Sequence, residues 1–307
     1  MANDYFRILS LDGGGAKGFY TLGVLHEIER MVGGPLCDRF DLIFGTSTGS
    51  IIGSLLALGK SVDEVHALYD EHVVKIMSKT WPWEKSAALK DLADAVFQGV
   101  GFDALKTNIG IVTTKWVMER PMIFKSDIAQ AHGRTGSFEP GFGVSIGDAV
   151  QASCSAYPFF ARKTITTGSG DTVDLIDGGY CANNPTLYAI ADATNGLKIA
   201  PERLRVVSVG VGEYPAIKKP LDAFWWASKL PSVKLLQKTM EINTQSMDQL
   251  RTILFGHIAT VRISEGFTQP EMATDIFEHD RTKLNIIRQR GRASFAKHEG
   301  VLREYLS

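Results

Sequence analysis

Apolar residues along this chain fall into short unbroken runs that alternate with longer stretches at helical spacing. Tyr5 to Leu11 is one such run, ending at Asp12 and three glycines, after which Phe19, Leu22, Val24, Leu25, Ile28 and Met31 recur near the helical period. The pattern repeats at once. Phe40 to Phe44 is apolar, Gly45 to Gly49 is a small-residue turn, and Ile51, Ile52, Leu55, Leu56 and Leu58 form a helix face. Two consecutive strand, turn and helix units predict a parallel sheet covered by helices.

Farther along, Ser61 to Met77 and Ser86 to Val100 read as helices joined by Trp81, Pro82 and Trp83, a junction that is either a lid or a packed corner. Ile109 to Met118, Pro121 to Lys125 and Val173 to Ile176 read as strands, the last running into Asp177, and Ser145 to Ser153 reads as a capped helix. Arg205 to Val211 is a further β-rich run. Beyond Gly212 the character turns helical, with Val233 to Phe255 the clearest, then a β-like Ala259 to Ile263 and a basic stretch through Arg288, Arg290 and Arg292. No repeat, low-complexity tract or flexible linker marks a firm boundary. The expected organisation is a core over residues 1–212, with residues 213–307 as a C-terminal helical elaboration packed on the same domain.

At 307 residues, with 44% hydrophobic and 22% charged side chains, the chain is long enough for one large buried core and is not disordered in composition. A net charge of -1 gives no bulk attraction to a nucleic-acid polymer. Three widely spaced cysteines, Cys37, Cys154 and Cys181, have no metal-ligand spacing and fit a reduced, cytoplasmic setting. No signal peptide and no apolar run of membrane-spanning length is visible, so contact with lipid is expected from the aqueous side.

Gly45-Thr46-Ser47-Thr48-Gly49 is a G-x-S-x-G turn between a strand and a helix, where a sharp bend projects a serine hydroxyl and glycines relieve the clash. The same residues also suit a plain turn whose serine caps the helix. Asp12 to Gly18 reads D-G-G-G-A-K-G at another strand end, where backbone N–H groups and a helix N-terminus converge on negative charge. Two uses fit this loop. One is a phosphate cradle, with Gly13 to Gly18 as G-x-G-x-x-G and Asp38 or Asp41 as a ribose partner. The other is an oxyanion hole, in which the amides of Gly13, Gly14 and Gly15 face a tetrahedral intermediate beside Ser47. A serine turn on the very next strand favours the second. A nucleophilic serine needs a proton acceptor, and Asp177 stands at a strand end before Gly178 and Gly179, with Asn183, Asn184 and Pro185 following. Asp-Gly-Gly is also ordinary turn chemistry. A Ser-Asp-His triad is the alternative hydrolase, with His257, His279 or His298 as its third member.

Taken in order, three motifs resemble the patatin-like phospholipase family: Asp12 to Gly18 its glycine-rich loop, Gly45 to Gly49 its nucleophile turn, and Asp177 to Gly179 its D-G-G/A motif. Ala152 to Phe160 and the Asn183-Asn184-Pro185 run are similar to it as well, so the likeness spans about Phe6 to Gly212. The resemblance implies a three-layer α/β fold with a central, mainly parallel sheet flanked by helices. It implies hydrolysis of fatty-acyl esters, phospholipids foremost, by a Ser47–Asp177 dyad without metal or organic cofactor. In that scheme Ser47 attacks the carbonyl, and Asp177 takes its proton and later activates water. Asp12, Lys17, Gly18, Gly45, Thr46, Thr48, Gly49, Gly178 and Gly179 are the supporting motif positions. Lys17 stands where the family commonly has arginine, which keeps the charge but gives up planar, bidentate recognition of phosphate.

Two features bear on partners. Lys218 to Lys238 mixes Phe224, Trp225 and Trp226 with Lys218, Lys219, Lys229, Lys234 and Lys238, which suits either core packing or a lipid interface, and Leu230-Pro231 interrupts any continuous helix there. The motif style is also similar to bacterial patatin-like effectors of antiviral signalling, which are switched on by cyclic nucleotides and degrade the cell's own membrane. That likeness implies a cytoplasmic enzyme in peripheral contact with the inner face of the membrane and a cyclic nucleotide as activator. Lys115, Arg120, Arg162, Lys163 and the basic residues near Arg288 are candidates for its phosphates. The competing class is a non-catalytic nucleotide-binding module on Gly13 to Gly18, which predicts nucleotide binding without covalent labelling of Ser47.

Overall fold

The computed structural model describes residues 5–133, 135–215 and 231–307, and within them eight strands form one sheet. The strands are β1 (Phe6–Leu11), β2 (Leu42–Thr46), β3 (Asn108–Lys115), β4 (Arg120–Lys125), β5 (Lys163–Thr166), β6 (Thr172–Asp177), β7 (Leu204–Val209) and β8 (Ala259–Ile263). Their order is β5-β6-β3-β2-β1-β7-β8, with β4 paired to β3. Strands β3, β2, β1, β7 and β8 are parallel, while β4 and β6 run antiparallel to β3.

Side-chain alternation along the strands divides the interior into two layers of contact. Leu9, Leu11, Ile43, Ile111 and Val207 join one apolar cluster with α1 (Gly18–Val32), α2 (Thr48–Ala57), α3 (Val62–Met77), α4 (Pro82–Phe97) and α5 (Ile146–Ser153). Ile8, Leu42, Phe44, Val112 and Val206 pack on the opposite face with α6 (Gly179–Ala182) and α7 (Thr186–Ala191). Burial on both faces is why these strands read as unbroken apolar runs. The chain continues with α8 (Pro231–Phe255), α9 (Arg281–Ala296) and α10 (Glu299–Leu306). β8 extends the sheet beside β7, and Leu284, Ile287, Phe295 and Leu302 belong to the same cluster as α1.

The pairing around β3 positions the site. β2 pairs with β3 up to Thr46 opposite Val112, and β6, arriving from the other direction, pairs from Asp177 opposite Thr113. β4 occupies the far edge of β3. β2 and β6 therefore meet end to end along one edge, which brings Ser47 and Asp177 together.

Two elements differ from the sequence pattern. The strand expected to reach Met118 ends at Lys115, and residues 116–119 turn into β4 with Glu119 at φ 51°. The helix expected from Ser86 begins at Pro82, because proline is preorganised for the first helical turn and Glu84 Oε2 accepts the Trp81 N–H at 3.1 Å. The aromatic and basic segment 218–230, including Phe224, Trp225 and Trp226, lies outside the described residues, as does the Lys234 side chain. Among the described residues, no helix is long and apolar enough to cross a membrane.

Candidate active site

Ser47 lies between the last residue of β2 and the first of α2, and the chain turns there at φ 52°, ψ -125°. A non-glycine residue with such a backbone costs on the order of 1–3 kcal/mol and persists only when its surroundings hold it. Ser153, at the end of α5, does so: its hydroxyl accepts the Ser47 N–H (2.8 Å) and donates to Val112 O on β3 (2.7 Å). A Cβ on Gly49 would stand 2.3 Å from Leu11 O, so glycine is what lets α2 start this close to β1.

The Ser47 hydroxyl donates to Asp177 Oδ2 at 2.7 Å, and Asp177 Oδ1 accepts the Gly179 N–H at 2.7 Å. Asp177 is 2% exposed. Burial pushes its pKa up to about 7, with the Gly179 and Ser47 hydrogen bonds pulling the other way. A carboxylate in that range can both accept and return a proton near neutral pH.

The loop 12–18 lies against the serine turn, and a Cβ on Gly13 would come 3.0 Å from Ser47 Cβ. The Gly13 N–H donates to Asn183 O (3.0 Å) and the Gly14 N–H to Thr48 Oγ1 (3.2 Å). The Gly15 N–H has no acceptor among the described residues. Gly15 takes φ 58°, and its Cβ would meet Ile276 O at 2.3 Å. Tyr69 donates to Gly15 O (2.6 Å), and the Ala16 N–H donates to Ile276 O (3.0 Å). At the root of the loop, buried Asp12 accepts two N–H groups of Arg262 from β8, at 2.9 and 2.5 Å. Burial raises the Asp12 pKa and Arg262 opposes that rise.

These groups border a cavity of about 600 Å³ whose wall includes Ile51, Val73, Ile76, Met77, Phe160 and Phe277. Size and lining suit an extended acyl chain. On the polar side, Lys17 Nζ lies 3.5 Å from Glu241 of α8, whose Met240, Thr244 and Gln245 also face the cavity.

Other candidates lie elsewhere. Asp41 accepts the Arg7 N–H (2.7 Å) at the start of β1, the edge of the sheet opposite Gly13, and Asp38 is close by in sequence, so no ribose partner stands at the loop. His257 precedes β8 at that same far edge, His279 Nδ1 contacts Phe277 O (3.1 Å), and His298 is 3.9 Å from Glu265. None of the three lines the cavity or bonds to Asp177. Arg288 pairs with Asp63 (3.8 Å) on α3, apart from Arg162, Lys163, Lys115 and Arg120 around the β3–β4 and β5 strands. Tyr69 and Arg262 carry no motif, and Ser153 lies within the family-like run Ala152 to Phe160 without being singled out there. Arg262 alone leaves a trace, as a charge inside the core-like strand A-T-V-R-I that demands a buried partner.

Comparison with known proteins adds three findings. A family model described as Patatin-like phospholipase matches residues 9–190. A cUMP-AMP-activated phospholipase of Escherichia coli is 63% identical over 300 residues, 98% of this chain and 93% of that relative. A cGAMP-activated phospholipase of Pseudomonas aeruginosa (strain BWHPSA011 / Pa011) is 29% identical over 217 residues, 67% of this chain and 62% of that relative, so the match spans less than two thirds of its length. Among solved structures, VipD from Legionella pneumophila aligns over 98% of this chain and 67% of its own with a TM-score of 0.50 at 12% identity, a likeness of fold.

Proposed function

This chain belongs to the patatin-like phospholipase family and is a lipid acyl hydrolase, and from that premise we propose that it releases fatty acids from membrane phospholipids through a Ser47–Asp177 dyad. The observation that carries the proposal is the 2.7 Å contact of Ser47 Oγ with Asp177 Oδ2 beside a largely apolar cavity. The acyl chain lies along the apolar wall, and its ester carbonyl carbon meets Ser47 Oγ. As the new C–O bond forms, the hydroxyl proton passes to Asp177 and negative charge collects on the carbonyl oxygen. The Gly15 N–H, which has no acceptor among the described residues, receives that charge, joined by the Gly14 N–H as it exchanges Thr48 Oγ1 for the oxyanion, while the Gly13 N–H, held by Asn183, fixes the approach of the loop. Asp177 returns the proton to the departing lysophospholipid oxygen. It then takes a proton from water, which attacks the acyl-serine, and passes that proton to the departing Ser47 Oγ as the fatty acid is freed. Lys17 meets the substrate's phosphodiester once Glu241 turns away.

A cyclic nucleotide is the proposed activator, in line with the relative named for activation by cUMP-AMP, and the setting is antiviral defence at the inner face of the membrane. Residues 213–307 are read as part of the same domain as the core, since β8 extends its sheet and Arg262 reaches Asp12. The test is fatty-acid release from phosphatidylethanolamine vesicles containing phosphatidylglycerol, with and without cUMP-AMP. Nucleotide-dependent release by the wild type and by a folded variant with His257, His279 and His298 all replaced by alanine is expected. Dependence on any of these histidines would favour a triad instead.

A further inference from the structure

A half-buried serine on a cavity wall reaches lipid only if the cavity mouth is brought to the bilayer, and the surface around that mouth is unusual. Trp81, Trp83 and Trp116 are each at least 40% exposed. They stand on two protrusions beyond the edge of the sheet that carries Ser47. β3 runs parallel to β2 and continues past Val112, the residue level with Thr46, so the turn at 116–119 projects roughly 13 Å farther at about 3.3 Å per residue. α3 climbs the same way. Its first residue Val62 bonds to Glu29 near the end of α1, Tyr69 is level with Gly15, and Ile76 and Met77 reach the cavity wall just before Trp81 and Trp83.

Residues 157–162 join the two protrusions. Trp116 packs on Tyr157 (5.4 Å between rings) with the Arg162 guanidinium 5.3 Å from its ring, and the Ala161 N–H donates to Ser86 Oγ in α4 (2.8 Å). Ala156 and Phe160 on either side of Tyr157 line the cavity. The outcome is an exposed rim of Trp81, Trp83, Trp116, Val117, Met118 and Tyr157 beside the mouth, with Val117 79% exposed at its tip.

Charge identifies the occupant. Segments 75–86, 115–120 and 157–163 hold seven lysines and arginines against two glutamates, in a chain whose net charge is -1. Arg162 and Lys163 pair with Asp174 and Asp148, but Lys75, Lys79, Lys115 and Arg120 have no carboxylate partner among the described residues. Tryptophan settles at the headgroup boundary, Val117 and Met118 suit the acyl region below it, and unpaired cations suit anionic headgroups. We propose that this rim is the membrane-docking surface, seating the cavity mouth on a bilayer that contains anionic phospholipid. The inference rests on the phospholipid reading above and names where the lipid enters.

Binding is measured on the full chain in a Ser47→Ala background with cUMP-AMP present, so that it is read independently of hydrolysis. The probes are vesicles of phosphatidylethanolamine with phosphatidylglycerol and vesicles of phosphatidylcholine, scored by co-sedimentation. The parent is expected to prefer the anionic vesicles. Adding Trp83→Ser, Trp116→Ser and Val117→Asp should weaken that binding about tenfold or more, and Lys75→Glu with Lys79→Glu should weaken it similarly and flatten its salt dependence. With Ser47 restored, each set should hydrolyse a monomeric short-chain ester within about twofold of wild type, because none of these side chains enters the reaction. No preference for anionic vesicles, or parent-like binding by both sets, would overturn the proposal. So would a fall in molecular mass by light scattering with vesicle binding intact, which would assign the rim to a second copy of the chain.

Discussion

The two turns that meet at the cavity are held in opposite ways. The Ser47 turn is supported from within the first 180 residues: Ser153 takes its N–H, Leu11 abuts Gly49, and β6 delivers Asp177. The loop 12–18 depends on residues far along the chain. Arg262 pairs with Asp12, and Ile276 covers Gly15 and accepts the Ala16 N–H. Asn183, which steadies Gly13, is itself bonded to Asn243 (2.9 Å) and Thr244 (2.7 Å) of α8. On the proposed roles, nucleophile and base can stay assembled while the oxyanion donors respond to the C-terminal region. A shift of β8 or of Ile276 reaches Asp12 and Gly15 before it reaches the dyad, whereas α8 touches both sides, since Asn243 donates to Cys181 O just beyond Gly179.

The comparison breaks most sharply on the dyad side. Asp177→Asn removes the proton acceptor but keeps the shape, so vesicle hydrolysis should fall about 10⁴-fold with little change in melting temperature. On the loop side, Gly15→Ala forces a Cβ toward Ile276 O and displaces the one N–H of the loop that has no acceptor among the described residues, with an expected fall of about 10²–10³ in kcat. Arg262→Ala leaves the Asp12 carboxylate buried and alone, which should cost about 3–5 kcal/mol in chemical denaturation, and adding Asp12→Asn should recover part of that loss. Ser153→Ala orphans the Ser47 N–H, for about 1–3 kcal/mol of stability.

The smallest effect is the most discriminating. Asp177 acts as a base only when ionised, and its pKa is raised to about 7, so kcat/KM should climb with pH below 7 and level off above it. The loop variants should lower the plateau and leave the midpoint in place. A midpoint that moves in Gly15→Ala or Arg262→Ala would mean that the two turns are coupled after all.

Local signals carried much of this arrangement. Strands β1 and β2 and the glycine turns after them were legible because a doubly buried parallel strand is an apolar run and a tight turn needs small residues, and the capping serine Ser145 announced α5. What stayed hidden was made by distance. Nothing local joins Asp12 to Arg262 across 250 positions, or Gly15 to Ile276. β5, only four residues long with two of them exposed, has no apolar run to reveal it. Trp116, Val117 and Met118 read as strand because aromatic and branched side chains favour one, yet they form the turn.

The most direct measurement is the site of covalent labelling by an alkyl fluorophosphonate, located by peptide mass spectrometry in wild type, Ser47→Ala and Asp177→Asn. A dyad predicts an adduct on the Ser47 peptide of the wild type, none in Ser47→Ala, and labelling slowed by orders of magnitude in Asp177→Asn. An adduct on another residue, or labelling of Ser47 at an undiminished rate without the Asp177 carboxylate, would contradict it.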